Sequence, residues 1–361
     1  MSRYEEARVK LEASPRRWLV TGVAGFIGSH LAERLLSLGQ HVTGLDNFST
    51  GKRENLQDLL SRVESPARGN FHFIEGDIRD PGSCAAAMQG VELVLHEAAL
   101  GSVPRSMENP LASHQNNVDG FVNVLLAAAQ ARVERVVYAS SSSVYGDDRE
   151  SPKVESRLGR PLSPYATTKL VDEIYADTFA RTHGIASVGL RYFNVFGPRQ
   201  DPFGAYAAVI PRWTEQLLRG ERCTVFGDGS NSRDFCFIDN VVQANVLAAT
   251  APAADVTDRA YNVACGARTD LLHLFEGIRD HAARHNPAAA ESALVHEAPR
   301  RGDVPHSLAN IDLAKQKLGY QPAYDLARGL GETVSWYAQR TQRTRADSEP
   351  TLDLRPAERT A

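Results

Sequence analysis

The 361-residue sequence predicts an α/β protein, a doubly wound parallel sheet followed by a smaller C-terminal α/β lobe. The first observation behind this prediction is a regular alternation of apolar, strand-like runs with helix-like stretches over residues 1–196. The second is a glycine-rich turn that joins the first strand to the helix after it. The third is the shorter spacing of elements beyond residue 197, where glycine- and proline-rich connections separate them, as expected for a lobe folded over the sheet edge.

The apolar runs place the predicted elements in order along the chain. A short amphipathic helix, Tyr4–Glu12, precedes the first strand. Strands are predicted at 17–21, 41–46, 71–75, 91–96, 135–140 and 186–192, and helices at 26–38, 110–131 and 165–183. We expect residues 1–196 to form mainly the sheet domain and residues 197–338 mainly the second lobe, with some elements interleaved. Residues 339–361 are rich in Arg, Thr, Glu and Pro, so they are predicted to be a disordered tail.

The composition is that of a globular protein with a sizeable core, with 42% hydrophobic and 23% charged residues. A formal net charge of −4 gives no reason to expect nucleic acid or a membrane surface as a partner. No apolar run approaches the roughly 20 residues of a membrane span, and residues 1–10 are too polar for a secretory signal. The four cysteines lie far apart without a C-x-x-C pair, which favours reduced thiols and a cytoplasmic location.

The turn after the first strand carries the glycine triplet Gly22, Gly25 and Gly28, with Phe26 and Ile27 between the last two. Glycines let a backbone approach a pyrophosphate, and the helix that starts here offers free N–H groups and a positive dipole end. The turn therefore predicts a dinucleotide site.

Acidic residues at two strand ends indicate which dinucleotide binds. Asp46 closes the second strand, where a carboxylate can accept both ribose hydroxyls of NAD. Asn47 follows, with no arginine directly beside it to bind a 2′-phosphate, so NAD is favoured over NADP, although Arg53 is near. Asp77 and Ile78 end the third strand, in position to bind adenine.

A phenol and an ammonium, Tyr165 and Lys169, are four residues apart and so lie on one face of the predicted helix. The fixed cation favours the phenolate, which allows the tyrosine to act as a base near neutral pH. The serine run Ser140–Ser143 ends a predicted strand, at the sheet edge where α/β proteins place their chemistry. Its hydroxyls could hold a substrate oxygen in line with the phenol.

The glycine triplet, the serine run and the Tyr165/Lys169 pair, in that order, resemble the extended short-chain dehydrogenase/reductase family over about residues 4–338. Within that family the chain resembles the nucleotide-sugar 4-epimerases, above all the bacterial enzymes that act on UDP-N-acetylglucosamine for polysaccharide biosynthesis. Segments 99–106, 191–197, 204–211 and 232–235 carry this closer resemblance. It implies a Rossmann fold, NAD as the cofactor, a UDP-sugar substrate, and a homodimer built on helices 110–131 and 165–183.

The resemblance also implies a role for each matching residue. Tyr165 is the expected base for the sugar 4-hydroxyl, Lys169 holds the nicotinamide ribose and lowers the tyrosine pKa, and Ser141 bonds the same sugar oxygen. Asn117 belongs to the cofactor site and supports it from the helix behind. Asn194 is expected to bind the diphosphate, with Arg233 and Arg300 as charge partners. The other expected substrate residues are Ser102, Ser142, Ser143, Ala208, Val209 and Ser307.

Within this family, the residue at position 143 indicates the type of reaction and the residue at position 307 indicates the sugar. Related dehydratases and decarboxylases carry an acid where this chain has Ser143, so the resemblance favours epimerisation through a transient 4-keto sugar and enzyme-bound NADH. Ser307 occupies the position that guards the pocket beside the sugar C2 group. A serine there leaves room for an N-acetyl group, which predicts interconversion of UDP-GlcNAc and UDP-GalNAc.

Other interpretations remain open from the sequence. One is 4-epimerisation of UDP-glucuronate or of a UDP-N-acetyl-hexosaminuronate. A more remote one is a regulatory protein that binds NAD without turnover, although such proteins commonly lose the tyrosine or the lysine. His281 and His285 have an i,i+4 spacing that can bind metal, but no third ligand is apparent, so no metal site is predicted.

Overall fold

The computed structural model describes residues 1–204, 207–256, 260–299 and 305–348. Its centre is a seven-stranded parallel sheet with the strand order β11-β6-β5-β4-β1-β2-β3. The strands of this sheet are β1 (Arg17–Thr21), β2 (His41–Asp46), β3 (Phe71–Glu75), β4 (Leu93–His96), β5 (Arg135–Ser141), β6 (Ala186–Tyr192) and β11 (Ala260–Val263). Six shorter strands pair outside it: β7 (Val195–Phe196) with β10 (Cys236–Phe237), β8 (Cys223–Phe226) with β13 (Leu294–Glu297), and β9 (Ser232–Arg233) with β12 (Thr269–Asp270).

Helices cover both faces of the sheet, as the doubly wound prediction requires. Those before the serine run are α1 (Arg3–Ala13), α2 (Phe26–Ser37), α3 (Arg53–Arg62), α4 (Ser65–Arg68), α5 (Pro81–Ala87), α6 (Val103–Glu108), α7 (Pro110–His114) and α8 (Gly120–Ala131). Those after it are α9 (Pro164–His183), α10 (Val209–Leu218), α11 (Ile238–Thr250), α12 (Leu271–Ala283), α13 (Asp312–Leu318) and α14 (Leu326–Ser348). The predicted single helix 110–131 is α7 and α8 joined by a π-helical turn, Gln115–Asp119. The predicted fold class is confirmed.

The strand order reverses at β1, which lies between β2 and β4. At such a switch point the loops leaving neighbouring strands turn to opposite faces, and a crevice opens at the carboxyl ends of the strands. The strands beside it are buried on both faces, and β4 is buried at every position. The crevice therefore has a floor of buried strands.

Elements from the N-terminal and C-terminal parts of the chain pack together around the same sheet. β11 comes from the second half of the sequence yet pairs with β6 at the edge of the main sheet. Helix α11 packs against β4, β5 and β6, and the N-terminal helix α1 packs against α11 in turn. The side chains of Ala7 and Leu11 are the buried part of α1.

The predicted disordered tail from residue 339 is wrong for its first ten residues, because α14 continues to Ser348. Buried Leu330, Val334 and Tyr337 form the apolar stripe of this helix. Beyond the stripe, residues 339–348 include Gln, Arg and Ala, which have a high intrinsic helix propensity. Residues 349–361 lie outside the described part of the chain.

Asp234 holds three segments of the second lobe together. It is fully buried, and its carboxylate accepts hydrogen bonds from the backbone N–H groups of Cys265 at 2.9 Å, Gly266 at 3.0 Å and Ala309 at 3.3 Å. Burial raises the pKa of this carboxyl to about 6. One side chain thus accepts hydrogen bonds from three backbone N–H groups that lie outside the regular hydrogen-bond pattern of a helix or sheet.

Replacing Asp234 with Ala is expected to lower the melting temperature by about 5 °C or more, because several buried N–H groups lose their acceptor at about 1–3 kcal/mol each. Differential scanning calorimetry measures the change. Asp228→Ala is the matched control, since Asp228 is an exposed turn residue that accepts the backbone N–H of Ser230. Equal melting temperatures for the two variants would contradict the role given to Asp234.

Candidate active site

A cavity of about 510 Å³ opens at the carboxyl ends of the central strands. The predicted site residues that line it are Gly22, Gly25, Phe26, Ile27, Gly28, Asp46, Asn47, Ile78, Ser141, Ser142, Tyr165, Lys169 and Asn194. The glycine turn, the phenol–ammonium pair and two of the serines are thus brought into one space, although they are far apart in the sequence.

The backbone of the glycine turn packs so closely against neighbouring backbone that side chains have no room there. Gly22 has a φ of +67°, and a Cβ there would lie 2.8 Å from the backbone nitrogen of Ala98. A Cβ on Gly28 would lie 2.2 Å from the carbonyl oxygen of Gly22, so only glycine lets α2 start so near β1. Gly25 caps α2 without a side chain, which leaves the first N–H groups of the helix for an anion. These features fit the pyrophosphate of a dinucleotide.

Asp46 is fixed beside this turn. Its carboxylate accepts the N–H of Ala24 at 2.9 Å and the N–H of Phe48 at 2.8 Å, and burial raises its pKa. Each carboxylate oxygen has a second lone pair for a hydroxyl donor. This fits the predicted contact with a ribose.

Asp77 does not line the cavity but contacts Asn47, a residue that does. The Asn47 amide donates to it at 2.8 Å, and Arg79 pairs with it at 2.6 Å. The hydrogen bond from Arg79 lowers the pKa of Asp77 to about 2, so this carboxylate is charged. Asp77 is not among the lining residues, whereas its neighbours Asn47 and Ile78 are.

Helix α9 carries the reactive pair. The Ser163 hydroxyl oxygen accepts the N–H of Ala166 at 3.1 Å and caps the helix, which places Tyr165 in its first turn. Lys169 follows one turn later and is only 2% exposed. Its ammonium lies 3.2 Å from a carboxylate oxygen of Asp172, which is also buried.

Charges around Lys169 keep it protonated. Burial alone would lower its pKa, but Asp172 and Tyr165 act in the other direction and the net effect is a raised pKa. Burial raises the pKa of Asp172 despite the nearby ammonium. A permanent cation therefore lies one turn from the phenol, which is the condition that lowers the energy of a phenolate.

Asn117 does not line the cavity but lies behind it, on the π-helical turn. Its amide donates to Thr168 Oγ1 at 3.0 Å, and its amide oxygen accepts the N–H of Leu100 at 2.8 Å. Thr168 in turn donates to the Tyr165 carbonyl oxygen. Asn117 thus braces the first turn of α9, and it is Asn116 that lines the cavity.

The four serines take different positions. Ser141 and Ser142 line the cavity, and the Ser141 hydroxyl oxygen accepts the backbone N–H of Ser143 at 3.1 Å. Ser140 also lines it, but its hydroxyl donates to Glu173 at 2.6 Å. Ser143 is not among the lining residues; its hydroxyl is buried without a hydrogen-bond partner in the described part of the chain.

A buried ion pair fixes the serine run against α9. Arg191 on β6 donates to both carboxylate oxygens of Glu173, at 2.9 and 2.7 Å. The same guanidinium donates to the Tyr145 hydroxyl at 3.1 Å, and that hydroxyl donates to Asn262 on β11 at 2.6 Å. Burial raises the pKa of Tyr145 to about 12, so it stays a neutral donor.

Four of the residues predicted to bind substrate lie outside this cavity, on the second lobe: Ala208, Val209, Arg233 and Ser307. Arg233 donates to the carbonyl oxygens of Ser232 and Pro305, and the Ser307 N–H donates to the Ser232 carbonyl at 3.0 Å, so positions 233 and 307 are neighbours. The Asn194 carbonyl accepts the N–H of Cys236 at 3.2 Å, which joins the cavity to the segment that carries Arg233.

The remaining predicted substrate residues have separate positions. Ala208 and Val209 begin α10, and the Ser102 hydroxyl oxygen caps α6 by accepting the N–H of Arg105. Arg300 lies outside the described residues. None of Ser102, Ala208, Val209, Arg233 and Ser307 is among the residues that line the cavity.

Sequence reasoning missed six polar residues of the cavity wall: Ser49, Thr50, Glu97, Asn116, Tyr192 and Gln200. Glu97 gave one usable signal, because it follows a predicted strand at the sheet edge that carries the chemistry. Tyr192 donates to Glu97 at 2.8 Å. That contact joins residues 95 positions apart and has no local signature.

Within the described residues no cluster of three or more His, Cys, Asp or Glu side chains could hold a metal ion. In the same part of the chain, every helix is too short or too polar to cross a lipid bilayer.

Comparison with known proteins identifies the family. The profile of the NAD dependent epimerase/dehydratase family matches residues 18–264. A UDP-glucose 4-epimerase of Mycolicibacterium smegmatis is 37% identical over 328 residues, which cover 90% of this chain and 100% of that protein. Two solved structures share the fold over 90% of this chain and 99% of theirs. A UDP-N-acetylglucosamine 4-epimerase of Methanobrevibacter ruminantium, in complex with UDP-N-acetylmuramic acid, is 37% identical with a TM-score of 0.80. A UDP-glucuronic acid 4-epimerase of Bacillus cereus, in complex with UDP-glucuronic acid and NAD, is 30% identical with a TM-score of 0.78.

The resemblance seen in the sequence and the prediction of NAD as cofactor are thereby confirmed. The glycine cradle, the uncapped start of α2 and Asp46 are the features of this chain that fit NAD. The chain belongs to the NAD dependent epimerase/dehydratase family, within the extended short-chain dehydrogenases/reductases.

Proposed function

We propose that this protein is a UDP-sugar 4-epimerase that interconverts UDP-GlcNAc and UDP-GalNAc for polysaccharide biosynthesis. The observation that carries the proposal is Tyr165 beside a buried, charged Lys169, in the same cavity as Ser141 and the glycine turn. NAD, when bound, supplies a hydride acceptor and donor for sugar C4. The similarity to UDP-sugar 4-epimerases supports this class of reaction.

Tyr165 takes the proton of the sugar 4-hydroxyl and later returns it. Lys169 stabilises the phenolate and cannot move away, because Asp172 and the surrounding protein hold its ammonium. Ser141 donates to the same sugar oxygen and keeps it in line with the phenol. The 4-keto sugar then turns about its phosphate linkage and presents its other face, and the same three residues serve the return step.

Anchoring of the nucleotide is what lets the sugar turn. Asn194, Arg233 and Arg300 are proposed to hold the diphosphate, where arginine offers a planar pair of donors. Binding energy from the nucleotide then retains the intermediate without fixing the reacting ring. Since Asn194 lines the cavity and its backbone bonds to Cys236, the diphosphate is expected between the cavity and β9.

The serine run supports epimerisation over dehydration. Elimination of water from a 4-keto sugar needs an acid beside the ring, and the resemblance places that acid at position 143. Here the position holds a serine whose hydroxyl is buried away from the cavity lining. Epimerisation, in which C4 loses a hydride and then regains it, needs no such group.

Sugar preference is proposed to depend on Ser307. It is held next to Arg233 through the Ser232 carbonyl, so it belongs to the lobe that would cover the sugar. A small side chain at this point leaves volume for the acetamido group at C2. Ser102, Ser142, Ala208 and Val209 are proposed to complete the sugar pocket.

Epimerisation of UDP-glucuronate is the second candidate, favoured by the similarity to a UDP-glucuronic acid 4-epimerase. A non-catalytic NAD-binding role is disfavoured, because Tyr165 and Lys169 both line the cavity.

A homodimer in the cytoplasm is the proposed state of the enzyme. Leu126 on α8 and Ile174 and Tyr175 on α9 are exposed apolar side chains on the two helices of the expected interface. Sedimentation velocity on the purified protein tests the dimer, and a monomer at micromolar concentration would refute it.

Incubation of the purified protein with UDP-GlcNAc, UDP-glucose and UDP-glucuronate separately, followed by proton NMR, tests the proposal as a whole. We expect conversion of UDP-GlcNAc to UDP-GalNAc without net formation of NADH. Turnover of UDP-glucuronate alone would keep the mechanism and refute the pocket assignment. Absence of turnover with all three sugars, despite bound NAD, would support the regulatory role.

Tyr165→Phe is expected to lower kcat by about 10²–10⁴-fold, because the base is lost while the ring remains. Binding of UDP, measured by calorimetry, is expected to change little. Thr182→Val is the matched control, since it removes a hydroxyl from the exposed C-terminal end of the same helix. Retention of full activity by the Tyr165 variant would remove this residue from the mechanism.

Ser307→Tyr is expected to shift the ratio of kcat/KM for UDP-GlcNAc over UDP-glucose towards glucose by about tenfold or more, through crowding of the acetamido group. Ser307→Ala keeps the space open and is expected to preserve the preference. Competition assays with both sugars present measure the ratio directly. An unchanged ratio in the tyrosine variant would show that Ser307 does not line the C2 pocket.

A further inference from the structure

Asp172 is a carboxyl group of the active site to which the mechanism above gives only the task of holding Lys169. It lies three residues after Lys169 on α9, so the two side chains share one face of the helix. The Lys169 ammonium donates to Asp172 Oδ2 at 3.2 Å, and the two side chains are only 2% and 1% exposed. A carboxylate this close to the cation also weakens the effect of the cation on Tyr165, which lies one turn away.

The hydrogen bonds of Asp172 point to a function for its charge. Oδ2 accepts from Lys169, and Oδ1 is buried without a hydrogen-bond partner in the described part of the chain. An unpartnered buried carboxylate oxygen costs stability, so this side chain is not explained by packing. Burial raises the pKa of Asp172, and the Lys169 charge acts against that rise. The contact favours the carboxylate, because a neutral acid would leave the buried ammonium without a counter-charge.

Titratable groups of the sheet do not take over the role of Asp172. His96 and Glu97 lie at the end of β4, and Glu97 acts on Lys169 more weakly than Asp172 does. Burial lowers the pKa of His96 to about 3, so this imidazole is neutral. Burial raises the pKa of Tyr138 on β5 well above its usual value, so this phenol keeps its proton. The ammonium therefore has its main opposing charge on its own helix.

The remaining ionisable groups around α9 are paired, neutral or near the surface. Arg191 of β6 and Glu173 of α9 form a buried ion pair with each other. Burial raises the pKa values of Tyr145 and Tyr192, so both stay neutral. Helix α8 has no charged residue. Those of α6, α7 and the π-helical turn, which also pack against α9, are exposed or half-buried: Arg105, Glu108, His114 and Asp119. The charge beside the reactive phenol is thus that of the ammonium and its carboxylate partner together.

The net charge of this cluster shows in which direction the carboxylate acts. With Asp172 ionised and Lys169 protonated, the cluster is neutral while Tyr165 is a phenol and carries one negative charge when it is a phenolate. Without the carboxylate, the cluster would carry one positive charge before the phenol ionises and would be neutral afterwards. Because burial disfavours net charge, the carboxylate makes the phenol hold its proton more tightly.

We propose that Asp172 is a positioning residue that moderates the effect of Lys169 on Tyr165, so that the phenol both releases and recovers a proton near neutral pH. A phenol beside an uncompensated cation would give up its proton readily and regain it poorly, and the return step of the reaction needs that proton. The inference rests on the proposed role of Tyr165 as the base, but its test requires no turnover of a sugar.

Titration of the Tyr165 phenol in the NAD-loaded protein tests this proposal. The ultraviolet absorbance of phenolate is followed from about pH 5 to pH 10, and the titration of Tyr165→Phe is subtracted so that the other tyrosines cancel. Asp172→Asn keeps the shape of the side chain and removes its charge. We expect its half-titration point, measured against the double variant with Tyr165→Phe, to lie about one pH unit or more below that of the parent protein.

Two further variants separate loss of the charge from disturbance of the helix. Asp172→Glu retains a carboxylate and is expected to titrate closer to the parent protein than Asp172→Asn does. Asp177→Asn also removes a negative charge from α9, but Asp177 is 42% exposed and pairs with Arg181. Solvent and salt screen that position, so the half-titration point of this variant is expected to stay where it is in the parent protein.

Three results would overturn the proposal. An unchanged half-titration point in Asp172→Asn would show that the carboxylate does not act on the phenol. A higher one would show that Lys169 loses its proton first, so that Asp172 serves only to keep the ammonium charged. A parent phenol that does not ionise at all below about pH 10 would remove Tyr165 as the base, and the inference with it. If Asp172→Asn does not fold, Asp172→Ala is judged by the same criteria, since alanine favours the helix.

Discussion

The arrangement of the whole site depends on the buried ion pair between Arg191 and Glu173. Arg191 belongs to β6 and Glu173 to α9, so the pair fixes the helix that carries Tyr165 and Lys169 to the floor of the crevice. Through Ser140 and Tyr145 the same pair also holds the serine run at the end of β5. Loss of either partner would leave a buried charge alone, at a cost of about 3–5 kcal/mol, and would release both halves of the reacting geometry together.

Around this fixed frame the cavity has an uneven distribution of charge. One buried ammonium, Lys169, is surrounded by Asp172, Glu97 and the phenol of Tyr165. The Lys169 ammonium lies 3.2 Å from a carboxylate oxygen of Asp172, and the phenol lies one helical turn from the same positive charge. A single buried cation thus acts on two carboxyl groups and on the phenol that is proposed as the base.

Local patterns in the sequence predicted the sheet strands 17–21 to 186–192, the glycine cradle and the Tyr165/Lys169 pair, because each is defined by neighbours within a few residues. Contacts between distant segments left no such pattern. Three such contacts arise only when the chain has folded. They are the hydrogen bond from Tyr192 to Glu97, the hydrogen bond from Asn117 to Thr168, and the bonds from three backbone N–H groups to the Asp234 carboxylate. The end of α14 was misjudged for a different reason, since composition alone separates a polar helix poorly from a disordered segment.

The pairing of β11 with β6 has a consequence for how the molecule is made. The sheet lacks its last strand until residue 263 has been synthesised, about 70 residues after β6 itself, and until then β6 is an open edge of unpaired N–H and C=O groups. A nascent chain at that stage, or a fragment ending near residue 204, presents an aggregation-prone border that the finished protein conceals. Domain dissection at the glycine-rich connection is therefore a poor route to an isolated cofactor-binding fragment, and the chain is better regarded as one indivisible folding unit.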